Sequence, residues 1–283
     1  MSSLALISTT TSRRRLTIKQ RLITAAIALP LLILLLAYAS SAVFAFFVTL
    51  IVFAALLEFN RMGMKQDQLE IQWVAALVGA AIVPLFFLHQ LALLYLYLSG
   101  FFLLFALYFL LRPSCLTRVH LHFGWICLGI IYVALLMGHL VLLRLLDDGR
   151  QWIFLTLIVI MSCDTCAYVI GSRFGKRKLY PLISPNKSIE GGIGGVGGAV
   201  LGALISKLLF FSSIGLWPAI LVGVVLGVVG QIGDLFESML KRACGVKDSG
   251  NMIPGHGGIL DRLDSLLFAF PLVYYIARWG FSG

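Results

Sequence analysis

Charge is scarce in this 283-residue chain: Asp, Glu, Lys and Arg make up 12% of it, against 60% hydrophobic residues, and the mean hydropathy is +1.00. So few charges cannot cover the surface of a soluble domain of this size, which excludes a water-soluble globule. Cysteine is also sparse, and Cys115, Cys127, Cys163, Cys166 and Cys244 do not make a disulfide framework. Cys163 and Cys166 form a CxxC, but no second Cys or His pair lies nearby to complete a zinc site, so helix packing is expected of them. The 22 basic residues outnumber the 12 acids, yet they never gather into one stripe with interleaved aromatics, which excludes a nucleic-acid interface. There is no Ser-His-Asp arrangement, and no stretch is left over for a separate soluble domain.

What the chain does hold is apolar sequence of membrane-spanning length. A span needs about 20 mostly apolar residues, and about nine windows qualify: roughly 22 to 38, 42 to 58, 70 to 88, 91 to 111, 123 to 144, 152 to 171, 192 to 212, 217 to 233 and 259 to 280. The fold class is therefore all-α, a polytopic integral membrane protein of about nine helices. The first window follows Arg13, Arg14, Arg15, Lys19 and Arg21 and raises a cleavable signal peptide. A retained span is the better reading, because another apolar segment follows at once. Pro30 and Pro84 fall inside spans, where neighbouring helices can satisfy the freed carbonyls.

Alternating the nine spans from a cytoplasmic N-terminus leaves only Arg144, Arg150, Lys207 and Arg278 outside, so 18 of the 22 basic residues lie inside. This follows the positive-inside rule and places both long polar loops in the cytoplasm. Along the chain, residues 1 to 150 read as scaffold hairpins whose acids sit near span ends, and nothing there looks catalytic. Residues 151 to 283 carry Asp164, Glu190, Asp234, Glu237, Asp248, Asp261 and Asp264 together with most of the glycines, so chemistry is expected in that part of one continuous membrane domain. The glycine run from Gly191 to Gly198 has no preceding strand and no following Lys-Ser/Thr, so it is read as close helix packing rather than as a phosphate loop.

The stretch from Gln231 to Ser265 is the informative one. Asp234, Glu237 and Ser238 stand at i, i+3 and i+4, and Asp261 and Asp264 at i and i+3, so each set shares a helix face. An acid within a span costs roughly 2.5 to 3.5 kcal/mol on insertion scales, so these aspartates need a compensating partner. Oxygen-only ligands without a histidine cluster favour Mg²⁺, which usually keeps positions open for nucleotide phosphates. A salt-bridge network with Lys241, Arg242 and Arg262 is the bland alternative. Between the acids, Pro254-Gly255-His256-Gly257-Gly258 precedes the last helix, where free N–H groups attract anions. His256 is ambiguous between a phosphate contact, a carboxylate-orienting role and a turn residue. Lys241, Arg242 and Lys247 become phosphate contacts only by their closeness to the acids.

Ser238-Met239-Leu240-Lys241-Arg242, then Lys247-Asp248, then Pro254 through Asp264 as PGHGGILDRLD, resemble the signature of the phosphatidate cytidylyltransferase (CDP-diacylglycerol synthase) family, bacterial type. A second block, Asp164-Thr165-Cys166-Ala167-Tyr168, Gly171, Phe174-Gly175-Lys176 and Ser184-Pro185-Asn186-Lys187-Ser188-Ile189-Glu190-Gly191, is similar to that family's other inner-loop motif. Asn186 departs from it, standing where a second lysine is common, which leaves Lys187 as the candidate.

The resemblance implies Mg²⁺-dependent attack of phosphatidic acid on the α-phosphorus of CTP in a bacterial inner membrane, giving CDP-diacylglycerol and pyrophosphate for phospholipid biosynthesis. It matches Asp234, Asp261 and Asp264 to the metal-binding acids. Lys247 and Asp248 are expected beside them in catalysis. Asp164, Ser184, Lys187, Ser238, Lys241, Arg242, His256, Gly257, Gly258 and Arg262 are expected to bind substrate or phosphate. A second metal ion and a homodimer stay open. Three rivals fit less well, one of them a CTP-using polyprenol kinase, which would transfer the γ-phosphoryl group instead. A CDP-alcohol phosphatidyltransferase would space its last acids D-x-x-x-D, and a cation transporter would place its acids at mid-span.

Overall fold

The computed structural model describes residues 30–31, 33–64, 69–112, 116–252 and 257–280. From Ser41 onward, the α-helices and strands among the described residues follow in order: α1 (Ser41–Gly63), α2 (Leu69–Ala80), α3 (Ile82–Phe87), α4 (Leu91–Leu111), α5 (Val119–Gly129), α6 (Leu136–Arg144), α7 (Gly149–Phe174), β1 (Lys178–Tyr180), β2 (Ser184–Ser188), α8 (Ile189–Leu209), α9 (Leu216–Ala243) and α10 (Leu260–Trp279). A π-helical segment, Ile130–Leu135, joins α5 to α6 without a break. The result is an all-α polytopic bundle, since a helix alone satisfies its own backbone groups in hydrocarbon.

Seven helical stretches are long and apolar enough to cross a membrane among the described residues: Ser41–Gly63, Leu69–Phe87, Ala92–Leu111, Leu116–Arg144, Gly149–Phe174, Ile189–Leu209 and Leu216–Ala243. Seven of the about nine expected spans are thus matched among the described residues. The first window lies mostly outside the described residues. The ninth forms α10, but Asp261, Arg262, Asp264 and Arg278 on its 20 residues keep it out of the apolar set.

Small residues bring the last four helices together. On α8, a Cβ added to Gly194 would strike Ile170, and one added to Gly198 would lie 2.5 Å from Cys166 Cβ. The glycine run is thus a packing face against α7, as its small-residue spacing predicts. Gly223 and Gly227 of α9 meet Ala199, Val200 and Val196 of α8 in the same way. On α9, a Cβ at Gly233 would come within 2.6 Å of the Asp264 carbonyl oxygen. That missing side chain lets the backbone of α10 approach α9 beside Asp234, and so sets the spacing of the acids on the two helices.

The buried core runs through both halves of the chain and includes Phe59 of α1, Tyr132 of the π segment, Leu226 of α9 and Phe270 of α10. Phe59 stacks on Trp125 with ring centroids 4.4 Å apart. Between helices in lipid such contacts hold by close van der Waals packing, since the surrounding acyl chains are as apolar as the side chains themselves.

Candidate functional site

Three elements converge on the acidic site: the β1–β2 hairpin, the C-terminal end of α9 and the start of α10. The hairpin pairs Lys178 with Ser188 and Tyr180 with Ser184. Its base is closed by Glu190, which accepts hydrogen bonds from the backbone N–H groups of Lys176 and Arg177 at 3.1 and 3.2 Å. Glu190 also pairs with the Arg177 guanidinium at 3.2 Å. Ser188 caps α8 by accepting the Gly191 N–H at 3.1 Å, a Ser/Thr cap of the usual kind. Gly171, Gly175 and Gly191 all crowd around the Ser188 hydroxyl. These motif glycines thus serve the close approach of the hairpin to α7.

Lys187 of β2 forms an ion pair with Asp234 of α9, joining the two motif blocks. Asp234 also accepts the Ser238 hydroxyl one turn along α9, at 3.4 Å. Asp164, Asp234 and Asp264 lie close enough for their charges to act on one another, and Lys187 acts on Asp164 as well. Gln231, one turn before Asp234, anchors α9 by donating to the carbonyls of Gly192 and Gly227 at 3.1 and 3.0 Å.

Asp261 is held by its own set of donors. Lys241 Nζ lies 2.7 Å from its Oδ1, the Gly258 N–H donates to its Oδ2 at 2.9 Å, and the Ser249 N–H donates to the same oxygen at 3.1 Å. Lys241 also pairs at 3.0 Å with Glu237, whose side chain is fully buried and whose Oε2 has no hydrogen-bond partner. One lysine thus holds two carboxylates from neighbouring helices. Asp264 accepts the N–H of Ser265 at 2.6 Å. Among the described residues, no group of three His, Cys, Asp or Glu side chains is set to hold a metal ion by itself.

The remaining expected residues divide clearly. Arg242 donates to the carbonyls of Ile183 and Val246 at 3.3 and 3.2 Å, so it fastens the hairpin to the end of α9. Ser184 lies at the hairpin tip, and Lys247 and Asp248 are exposed after α9. Gly257 has φ +88°, where an L side chain would be strained, and a Cβ there would sit 3.1 Å from Asp261 Oδ2. Gly258 fills a gap between Ser249, Glu58 and Gly250. Arg262 lines a largely apolar groove of about 840 Å³ together with Leu31, Phe44, Ile51, Leu263 and Phe270. His256 lies outside the described residues.

Two residues escape sequence reasoning. Glu58 of α1, only 3% exposed, accepts the Leu260 N–H at 3.0 Å at the start of α10. Tyr132 is buried, its hydroxyl has no hydrogen-bond partner among the described residues, and it lies within the field of Glu237, Asp264 and Asp234. The signal for Glu58 is a lone acid inside an apolar helix, which is costly unless it is used. Nothing in the sequence marks Tyr132, although a π segment often sits at a functional site.

A family model described as the cytidylyltransferase family matches residues 19–279. The chain is 45% identical over 177 residues to a phosphatidate cytidylyltransferase of Bacillus subtilis, covering 61% of this chain and 66% of the relative. It is 42% identical over 146 residues to that of Staphylococcus saprophyticus, covering 52% and 55%. It is 46% identical over 127 residues to that of Staphylococcus epidermidis, covering 45% and 49%. The matched regions thus span between about half and just under two thirds of these relatives' lengths.

Proposed function

The chain belongs to the cytidylyltransferase family, and from that membership and the site geometry we propose that it is a phosphatidate cytidylyltransferase. It transfers CMP from CTP to phosphatidic acid, releasing pyrophosphate and leaving CDP-diacylglycerol in the bilayer. The observation that carries this reading is the ion pair of Lys187 and Asp234, which brings both motif blocks to one place. The names of the relatives support the choice of substrates.

The two reactants are anions, and the phosphomonoester of phosphatidate is largely a dianion at pH 7, so it needs little help from a general base. The requirement is neutralisation and alignment. Lys187 and Lys241 supply fixed positive charge among the acids, and the exposed Lys247 extends it towards the triphosphate. Asp248 beside it steers the same loop. Ser184 offers a hydroxyl and Gly257 a backbone N–H for phosphate oxygens, Gly258, whose own N–H is taken by Asp261, keeps that turn free of a side chain, and His256 belongs to the same glycine loop. Arg262 and its apolar groove suit an anionic lipid, with the acyl chains against Leu263 and Phe270.

The acids suit Mg²⁺. Carboxylate oxygens are hard donors, and Asp164, Asp234 and Asp264 act on one another with Lys187 as the cation among them. A set too open to cage an ion alone fits Mg²⁺, which commonly takes one or two carboxylates and completes its shell with substrate phosphates. Asp234 and Asp264 would hold the ion, with Asp164 beside them, while Asp261 keeps the start of α10 in place through Lys241, Ser249 and Gly258. When bound, the ion supplies charge neutralisation for the attacking and leaving phosphates. Sidedness follows from the basic residues, with the hairpin and the 244–259 connection facing the cytoplasm of a bacterial inner membrane.

The test is incubation of the purified protein with phosphatidate, Mg²⁺ and CTP labelled at the α-phosphate. Label in lipid with equimolar pyrophosphate supports the reading. Label entering lipid only from γ-labelled CTP would mean a kinase instead.

A further inference from the structure

Glu58 is a carboxylate set deep in the half of the chain that carries no motif. Its Oε2 accepts the backbone N–H of Leu260 at 3.0 Å and the hydroxyl of Ser249 at 3.4 Å. It therefore reaches from α1 to both ends of the 249–260 connection. Its surroundings are shaped around it. A Cβ on Gly250 would lie 2.5 Å from Glu58 Oε1, and one on Gly258 would lie 2.6 Å from Oε2. No basic side chain is paired with it among the described residues, and the positive end of α10 takes that place, since Leu260 carries one of the free N–H groups of the first turn.

The same connection is gripped from the other side by Asp261, which accepts the Ser249 and Gly258 N–H groups at 3.1 and 2.9 Å. Ser249 is thus bonded to both acids, by hydroxyl to Glu58 and by backbone to Asp261. Loss of Glu58 frees the connection on one side and the first turn of α10 with it. Asp261, which lies on that turn, and Asp264, which follows it on the same helix, then lose their fixed placement relative to Asp234.

We propose that Glu58 is a positioning residue for the acidic site, a buried clamp by which the N-terminal half fixes the glycine connection and the start of α10. For its effect on turnover this rests on the cytidylyltransferase reading; the clamp itself does not. Amide hydrogen exchange across residues 246–262 of the detergent-purified, metal-free and substrate-free protein tests the clamp directly.

In Glu58→Ala, exchange across that segment accelerates by about tenfold or more, as expected for the loss of a charged hydrogen bond. Turnover falls by a similar factor, with KM for CTP and for phosphatidate within about threefold of wild type. Glu58→Gln keeps an acceptor for the Leu260 N–H, so it lies between wild type and Ala in both readouts. Asn60→Ala is the control, because Asn60 is buried on the same helix but donates at 3.2 Å to Gln72 O of α2. It lowers the melting temperature without accelerating exchange at 246–262. Should Glu58→Ala fail to fold, Glu58→Gln and Ser249→Ala carry the test, with exchange across that segment expected to rise by about threefold or more. Wild-type exchange in every Glu58 and Ser249 variant that folds, or equal acceleration in Asn60→Ala, would overturn the proposal. A wild-type protein that makes no lipid-linked cytidine would remove the proposed activity and leave the exchange result standing.

Discussion

Lys241 of α9 holds two carboxylates at once, Asp261 of α10 at 2.7 Å and Glu237 of its own helix at 3.0 Å. The Glu237 side chain is fully buried and that of Asp261 is 14% exposed, so the lysine stands as shared counter-charge in a place with little water.

Removing that lysine therefore leaves buried charge uncompensated, which costs about 3–5 kcal/mol when one partner of a buried pair is lost. Lys241→Met is expected to melt several degrees lower in detergent. Lys241→Met with Glu237→Gln should recover part of the loss. A single variant as stable as wild type would show that the pair is not needed for the fold.

Lys187 and Lys247 should differ in effect. Lys187 faces Asp234 and the neighbouring acids, and losing one charged hydrogen bond costs about 1.5–3 kcal/mol, roughly tenfold to hundredfold in rate. Lys187→Ala is expected to lose turnover in that range. Lys247 is exposed, so Lys247→Ala is expected mainly to raise KM for CTP. Steady-state kinetics with both substrates varied distinguishes them, and unchanged constants for Lys187→Ala would remove it from the site.

The glycines of α8 should separate by position. Gly197 has nothing within 4 Å of an added Cβ, whereas Gly198 has Cys166 Cβ at 2.5 Å. Gly197→Ala should be neutral or stabilising by up to about 1 kcal/mol, the helix-propensity gain. Gly198→Ala should lower the melting temperature by pushing α8 from α7. Equal melting temperatures would contradict this packing.

Much of this was legible in the sequence, because the long apolar windows and the acids at helical spacing are local patterns. The windows at 42 to 58 and 217 to 233 reappear within α1 and α9, and the CxxC packs as expected, with Cys163 Sγ 3.6 Å from Gly227 O. What was hidden depends on residues far apart in the chain. The backbone donors that Asp261 accepts from Ser249 and Gly258 follow from no spacing rule. Glu58 meets Leu260 only after the halves fold together, and the contact of Arg242 with Ile183 O likewise joins residues far apart in the chain. The short hairpin was missed, and with it the strand that precedes the glycine run, because strands of three and five residues in a polar loop carry no period.

Sidedness can be read with thiol chemistry. Cysteines introduced at the exposed positions Asn186 and Asp248 should react with an impermeant maleimide in inside-out vesicles only. The native Cys244 is half-buried, and burial pushes its thiol pKa up, so it contributes little background. Labelling from the outside of intact cells would reverse the topology.

The central claim is that Asp234 and Asp264 hold the ion that lets two anionic substrates react. Asn at either position keeps the size but removes the charge that holds a hard cation. The deciding measurement is turnover of Asp234→Asn and Asp264→Asn titrated against Mg²⁺, on protein whose melting temperature shows it folded. The expected result is a loss of roughly hundredfold or more in lipid-linked cytidine at ordinary Mg²⁺, with the fold retained. Near-normal turnover with an unshifted Mg²⁺ response in both folded variants would contradict the assignment.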